Sequence, residues 1–143
     1  MMRARRSGKY RNIGLLLLRI GLGIAFIFHG LPKMLGGPEV WTQYGTAVEY
    51  LGITTAPMFF GFLAAVTELF GGLLLILGLF YRPTLIMLTI TMLVAMIAKI
   101  SQGAAYPEMA HPMKMAIVFF SMLFIGPGKH SLDNRMNQRR RLF

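Results

Sequence analysis

Apolar residues run through this chain in four blocks, each flanked by polar segments marked with glycine or proline. Ile13 to Leu31 gives 19 residues interrupted only by Arg19 and His29. At 1.5 Å per residue that block spans about 28 Å, close to the ~30 Å hydrocarbon core of a bilayer. Ala56 to Tyr81 gives 26 residues with Glu68 as its one charge, and Thr84 to Ile100 gives 17 with Lys99 beside its end. The fourth block, Met113 to Ile125, is short and contains Lys114; it reaches spanning length if its helix starts near Pro107 or Pro112. The pattern predicts an all-α polytopic membrane protein, a bundle of four transmembrane helices.

The segment between the first two blocks has its own periodicity. Gly36-Gly37 ends a helix, and Pro38-Glu39 begins another with proline at its favoured first position. Trp41, Tyr44, Val48 and Leu51 then share one apolar face before Gly52 closes the segment. This reads as a short helix in the interface, a placement that also suits a lid over a cavity. The chain divides into a basic segment (1–12), a four-helix domain (13–128) and a basic tail (129–143), in which Gly126-Pro127-Gly128 breaks the last helix and Ser131 caps a short one.

Composition agrees with the pattern. Of 143 residues, 55% are apolar and 14% charged, against roughly 25% charged in a soluble domain. The absence of cysteine removes disulfides, thiol redox chemistry and iron–sulfur ligation. A formal charge of +10 suggests nucleic acid only until its distribution is considered. Eleven of the fifteen Lys and Arg lie before Ile13, at Arg82 or after Gly128. Basic flanks on apolar spans follow the positive-inside rule and attract anionic lipid. Both termini and the Tyr81-Arg82-Pro83 turn are therefore expected in the cytoplasm of a bacterium, the chain in its inner membrane, with the lipid bilayer rather than nucleic acid as partner. Arg19 interrupts the first block and no small-residue cleavage site follows, so that block reads as a retained helix, not a signal peptide.

Charges inside apolar spans mark where chemistry or tight packing occurs, because each costs roughly 3 kcal/mol to insert. On a helical wheel Gly23, Gly30 and Lys33 lie within about 40° of Arg19, and Gly61 and Gly72 within about 40° of Glu68, with Gly71 near 60°. Small residues let helix backbones approach in lipid, so the first two spans are expected to pack along these stripes. Arg19 and Glu68, at reachable depths, are expected to pair, either as a strut or as part of a polar cavity in which Glu68 carries a proton.

The opposite ends of the spans hold His29, Lys33, Lys99, His111 and Lys114. Lys33 and Lys99 end their helices, where the helix dipole favours a cation. Lys114 opens its helix, where the dipole does not, so it calls for a carboxylate, with Glu108 the local candidate, or for an anionic or carbonyl-bearing ligand. His29 and His111 have the placement of b-type haem ligands in a four-helix bundle. With three histidines in the chain, hydrogen-bonding roles are preferred and haem is not expected. Met109, His111, Met113 and Met115 resemble a soft copper site, but methionine is abundant throughout (12 residues), so no metal is assigned.

Three pieces in order, RIGLGIAFIFHGLPK (Arg19–Lys33), ELFGGLLLILGLFYR (Glu68–Arg82) and GPGKHSLD (Gly126–Asp133), resemble the DoxX family of small four-helix bacterial membrane proteins. The resemblance covers about residues 13 to 133 and places the family pattern on Arg19, Gly30, Lys33, Glu68, Gly71, Gly72, Gly78 and the Gly126-Pro127-Gly128 turn. It implies association with quinones, since the family's namesakes are linked to a terminal quinol oxidase and to thiosulfate:quinone oxidoreduction; other relatives include eukaryotic surfeit-locus cargo receptors. The leading expectation is a quinone-linked oxidoreductase subunit or accessory, working with partner membrane or redox subunits. Arg19, His29 or Lys33 would donate to quinone carbonyls and Glu68 would exchange protons. A non-enzymatic assembly or binding module is the alternative. A small-anion transporter, which would need a homodimer, is the third.

Overall fold

A computed structural model describes the backbone of residues 2–140 and the side chains of residues 8–138. The side chains of Arg3, Arg5, Arg6, Arg139, Arg140 and Arg141 lie outside the described residues. The chain forms α1 (Met2–Leu35), α2 (Gly37–Gly45), a 3-10 turn (Thr46–Leu51), α3 (Pro57–Leu77), α4 (Tyr81–Ser101), α5 (Tyr106–Ile125) and α6 (Leu132–Arg140). Among the described residues there is no strand, and α1, α3, α4 and α5 are each long and apolar enough to cross a membrane.

Helix ends follow local chemistry. Pro57 opens α3, where its missing N–H would be unpaired anyway. Gly78 closes α3 in the left-handed conformation (φ 65°), with its N–H donating to the Leu75 carbonyl and that of Leu79 to Leu74. The first span extends past both expected limits as one helix that carries Pro32 near its end. The fourth starts at Tyr106, seven residues before Met113, and continues through Pro112.

α3 packs against α1, α2 and α4, and α4 packs against α5. The α1–α3 seam needs glycine. A Cβ on Gly23 would strike the Gly72 carbonyl oxygen, and one on Gly30 would strike the Leu69 backbone. Gly71 turns instead to Leu88 of α4, and Gly61 admits the Trp41 carbonyl of α2. Phe26, Leu75, Leu85, Leu88 and Phe119 form the centre of the core. α1 reaches α5 through large side chains, with the Phe26 and Phe119 rings edge to face at 4.8 Å. Asn12 of α1, the start of α6 and the α3–α4 turn lie together at one end of the bundle, the terminal end; α2 and the 3-10 turn lie at the other, the loop end.

Candidate functional site: a polar cavity under the α2 lid

The two intramembrane charges do not pair with each other. Arg19 is buried at the terminal end, where its Nε donates to the Leu75 carbonyl (3.0 Å), Nη2 to Ile76 (2.8 Å) and Nη1 to Pro127 (2.8 Å). Leu75 and Ile76 belong to the last turn of α3, whose carbonyls lack the regular i+4 helical donor and carry the negative end of the dipole. The guanidinium is thus held by oxygen dipoles from α3 and by the turn after α5. A carboxylate closes the same knot from the tail. Asp133 accepts hydrogen bonds from the N–H groups of Phe80 (3.0 Å) and Tyr81 (2.8 Å), capping α4. Asn12 accepts from the Lys129 N–H, and the Tyr81 hydroxyl donates to the Met122 carbonyl. A Cβ on Gly78 would collide with the Arg19 guanidinium and with Ser131.

The partner of Glu68 is Lys33. Its ammonium donates to both carboxylate oxygens at 2.7 Å and lies 4.6 Å from the centre of the Tyr44 ring. The expected Arg19–Glu68 pair is therefore corrected. Both cations sit on one stripe of α1, and the one nearer the loop end takes the carboxylate. Lys33 has accepted this partner in addition to its favourable place in the last turn of α1.

The Lys33–Glu68 pair lies in the wall of a half-open cavity of about 600 Å³ lined by α1, α3, α4, α5, the end of α2 and the 3-10 turn. His29 and His111 line the same cavity with ring centroids 5.1 Å apart. Lys99 also lines it and lies 3.7 Å from Glu108, both side chains well exposed. Among the described residues no three His, Asp or Glu are grouped to hold a metal ion.

Of the residues singled out from sequence, His29, Lys33, Glu68, Lys99 and His111 thus line one cavity, while Arg19 lies in a different cluster. Lys114 is exposed and lies outside the cavity lining. The carboxylate assigned to Lys114 goes elsewhere, since Glu108 meets Lys99. The reason for expecting a Lys114 partner also falls away: with α5 starting at Tyr106, Lys114 is beyond the first turn, where the dipole effect has faded.

Tyr44 and Thr67 of the cavity wall were not singled out from sequence. Tyr44 was legible as one position of the apolar face on α2. Two positions of that face, Trp41 and Val48, rest on the bundle, while Tyr44 and Leu51 stay exposed: Trp41 packs edge to face on Phe62 at 4.9 Å and donates from Nε1 to the Lys33 carbonyl at 2.9 Å. Val48 is buried in the 3-10 turn. The segment breaks at Gly45, where α2 touches the Pro57 carbonyl too closely for any Cβ.

A four-helix membrane bundle with this polar cavity defines the class of protein, and comparison with known proteins supplies the family. The DoxX family profile matches residues 14–100. The Inner membrane protein YphA of Escherichia coli K12 is 31% identical over 138 residues, covering 90% of this chain and 94% of that protein. An uncharacterized protein of Haemophilus influenzae is 33% identical over 133 residues, covering 89% and 93%. The Bacillus subtilis protein named "Putative oxidoreductase CatD" is 36% identical over 86 residues, covering 60% of this chain and 59% of that one. No solved structure matches the chain. The chain belongs to the DoxX family.

Proposed function

We propose that the protein is a quinone-linked oxidoreductase subunit or accessory of the bacterial inner membrane, with its terminal end in the cytoplasm. The observation that carries this reading is the cavity itself. At about 600 Å³ it falls within the ~300–1,000 Å³ range of small-molecule sites, with apolar walls and a few convergent polar groups. Both of its lysines meet carboxylates, so the lining favours a neutral carbonyl ligand over an anion. A quinone has two carbonyl oxygens that accept hydrogen bonds, from an imidazole N–H of His29 or His111 and from the Lys33 ammonium. Its reduction takes up two electrons and two protons. In the reverse direction the quinol gives up both, its electrons to a partner redox subunit and its protons through Glu68, held by Lys33. The name of the Bacillus relative and that of the Escherichia coli protein support the redox and inner-membrane parts of this reading respectively.

Purification in mild detergent followed by lipid extraction tests it. Quinone enriched over the bulk membrane, and oxidation of added quinol when partner subunits co-purify, are expected; extracts with no enrichment and no redox change overturn it. The mutual satisfaction of Lys33 and Glu68 favours a second reading, a non-enzymatic assembly or binding module in which the pair is a strut. Glu68→Gln separates the two. Loss of stability with any quinone binding intact would make the pair architectural.

A further inference from the structure

The cavity extends well beyond its polar groups. Along α4 its wall runs from Met87 to Gln102, the residue that caps the helix, about 22 Å at 1.5 Å per residue. One flank holds the ion pair and the histidines. The other, between α3 and α4, is apolar, with Phe60 and Leu63 on α3 and Met87, Ile90 and Val94 on α4. Thr91 on this flank keeps its hydroxyl on its own helix, donating to the Met87 carbonyl. Met87 and Ile90 wall the cavity and yet are 40% and 51% exposed. Both belong to the membrane-spanning part of α4, and the bundle leaves them uncovered.

The helix packing explains the opening. α3 and α4 are tied together at the terminal end by the Gly78 turn and by Gly71 against Leu88. Toward the loop end the 3-10 turn packs against both helices, with Val48 buried. On the far side α1 and α5 meet side chain to side chain, Phe26 on Phe119 and His29 beside His111.

We infer that the cavity opens sideways into the bilayer between α3 and α4 and takes a long-tailed, membrane-resident ligand. Its neutral carbonyl head sits at His29, Lys33 and His111, and its hydrocarbon tail leaves past Ile90 and Met87. The inference rests on the carbonyl-binding reading above and adds the ligand's two-part chemistry and its route. A tail in this groove gains little free energy over a tail in lipid, because lipid is as apolar as the groove. The portal therefore sets orientation and rate of entry more than affinity, and the test must read position and rate.

The full chain in nanodiscs is photolabelled with a quinone whose isoprenoid tail bears a diazirine near the head. Trp41, the single tryptophan, lies beside the site through its bond to the Lys33 carbonyl and reports head-group arrival by quenching. Competable labels on Leu63, Met87, Ile90 and Val94 are expected. The double substitution Leu63→Phe with Ile90→Phe should slow quenching by the tailed quinone about tenfold while leaving a tail-less quinone unchanged. Competable labels concentrated on α1 or α5 would overturn the portal and leave the carbonyl site standing. No quenching by either quinone and no competable label would overturn both. If the double variant does not fold, the label map of the unsubstituted protein decides alone.

Discussion

At the terminal end a buried cation, Arg19, is surrounded by three carbonyl oxygens and, among the described residues, meets no carboxylate within 4.0 Å. At the loop end Lys33 meets Glu68 with two short bonds, and open volume begins beside the pair. The first arrangement uses all three guanidinium nitrogens to join segments far apart in sequence: α1, the end of α3 and the turn after α5. The second joins α1 and α3 but leaves room for a ligand. A charge fully enclosed by backbone has no freedom to take part in chemistry, whereas an ion pair in a cavity wall can exchange a partner or a proton. Intramembrane charge alone thus does not identify a working site. What distinguishes the two ends is the space next to the charge.

Removing the enclosed cation should have the largest effect. Arg19→Met deletes three charge-assisted hydrogen bonds, each contributing about 1.5–3 kcal/mol, for a loss of about 4 kcal/mol or more. Arg19→Lys should recover only part, since an ammonium on a shorter reach cannot span all three carbonyls in the guanidinium's planar geometry. Denaturant unfolding in micelles would measure both. A loss below about 1 kcal/mol for Arg19→Met would show that the knot is not a principal source of stability.

The ion pair predicts an asymmetry. Lys33→Met strands a Glu68 side chain that is 2% exposed, whereas Glu68→Gln strands a Lys33 side chain that is 20% exposed and can reach water. Breaking a buried pair costs about 3–5 kcal/mol when the remaining charge is enclosed. Lys33→Met should therefore cost about 3 kcal/mol and Glu68→Gln nearer 2, and the double variant Lys33→Met with Glu68→Gln should cost less than the sum. Thermal unfolding of the four proteins completes the cycle. Equal single losses with strict additivity would mean that the pair is not coupled.

Much of this architecture was legible because membrane helices obey few rules. Length and hydropathy located the spans, and Gly36-Gly37 with Pro38 located the short α2; the end of α3 at Gly78 was missed because the apolar block ran on to Tyr81. The α1–α3 seam could be read from glycines, since small residues sharing a stripe have one common physical use in lipid. The pairing of charges could not. A helical wheel gives direction but not reach, and it placed Arg19 and Lys33 on the same stripe with equal claim to Glu68. The actual partners of Arg19 are main-chain oxygens, one of them 108 residues away at Pro127, and the backbone leaves no such signature in side-chain pattern. Lys114 was misread for a simpler reason. The apolar block began at Met113 while the helix began at Tyr106, so a residue well inside α5 was taken for its first turn.

The cap on α4 offers a smaller test of the terminal knot. Asp133→Ala removes the acceptor for the Phe80 and Tyr81 N–H groups, and the loss of such a cap costs about 1–2 kcal/mol. Phe80 sits in the left-handed region at φ 48°, so the turn it occupies is held there against its own preference. Faster amide exchange confined to the first turn of α4 is expected, along with the drop in stability. Unchanged exchange at Phe80 and Tyr81 would show that the Arg19 cluster holds the turn without the tail.

The smallest effect should come from the lid, and it separates stability from access. Tyr44→Leu keeps an apolar side chain on α2 but removes the ring under the Lys33 ammonium. Cation–π contacts at exposed sites contribute about 0.5–1 kcal/mol, and Tyr44 is 49% exposed, so the stability change should stay below about 1 kcal/mol. The lid remains anchored by Trp41 on Phe62 and by Val48, which leaves the loop end folded while the ammonium loses one of its three neighbours. The readout is amide exchange along Thr46–Leu51 compared with that of α3. Faster exchange in the 3-10 turn with α3 unchanged is expected from a lid that opens on its own. Equal acceleration in both would mean that the loop end unfolds as one unit, and the contrast between a rigid knot and an openable cavity would have to be given up.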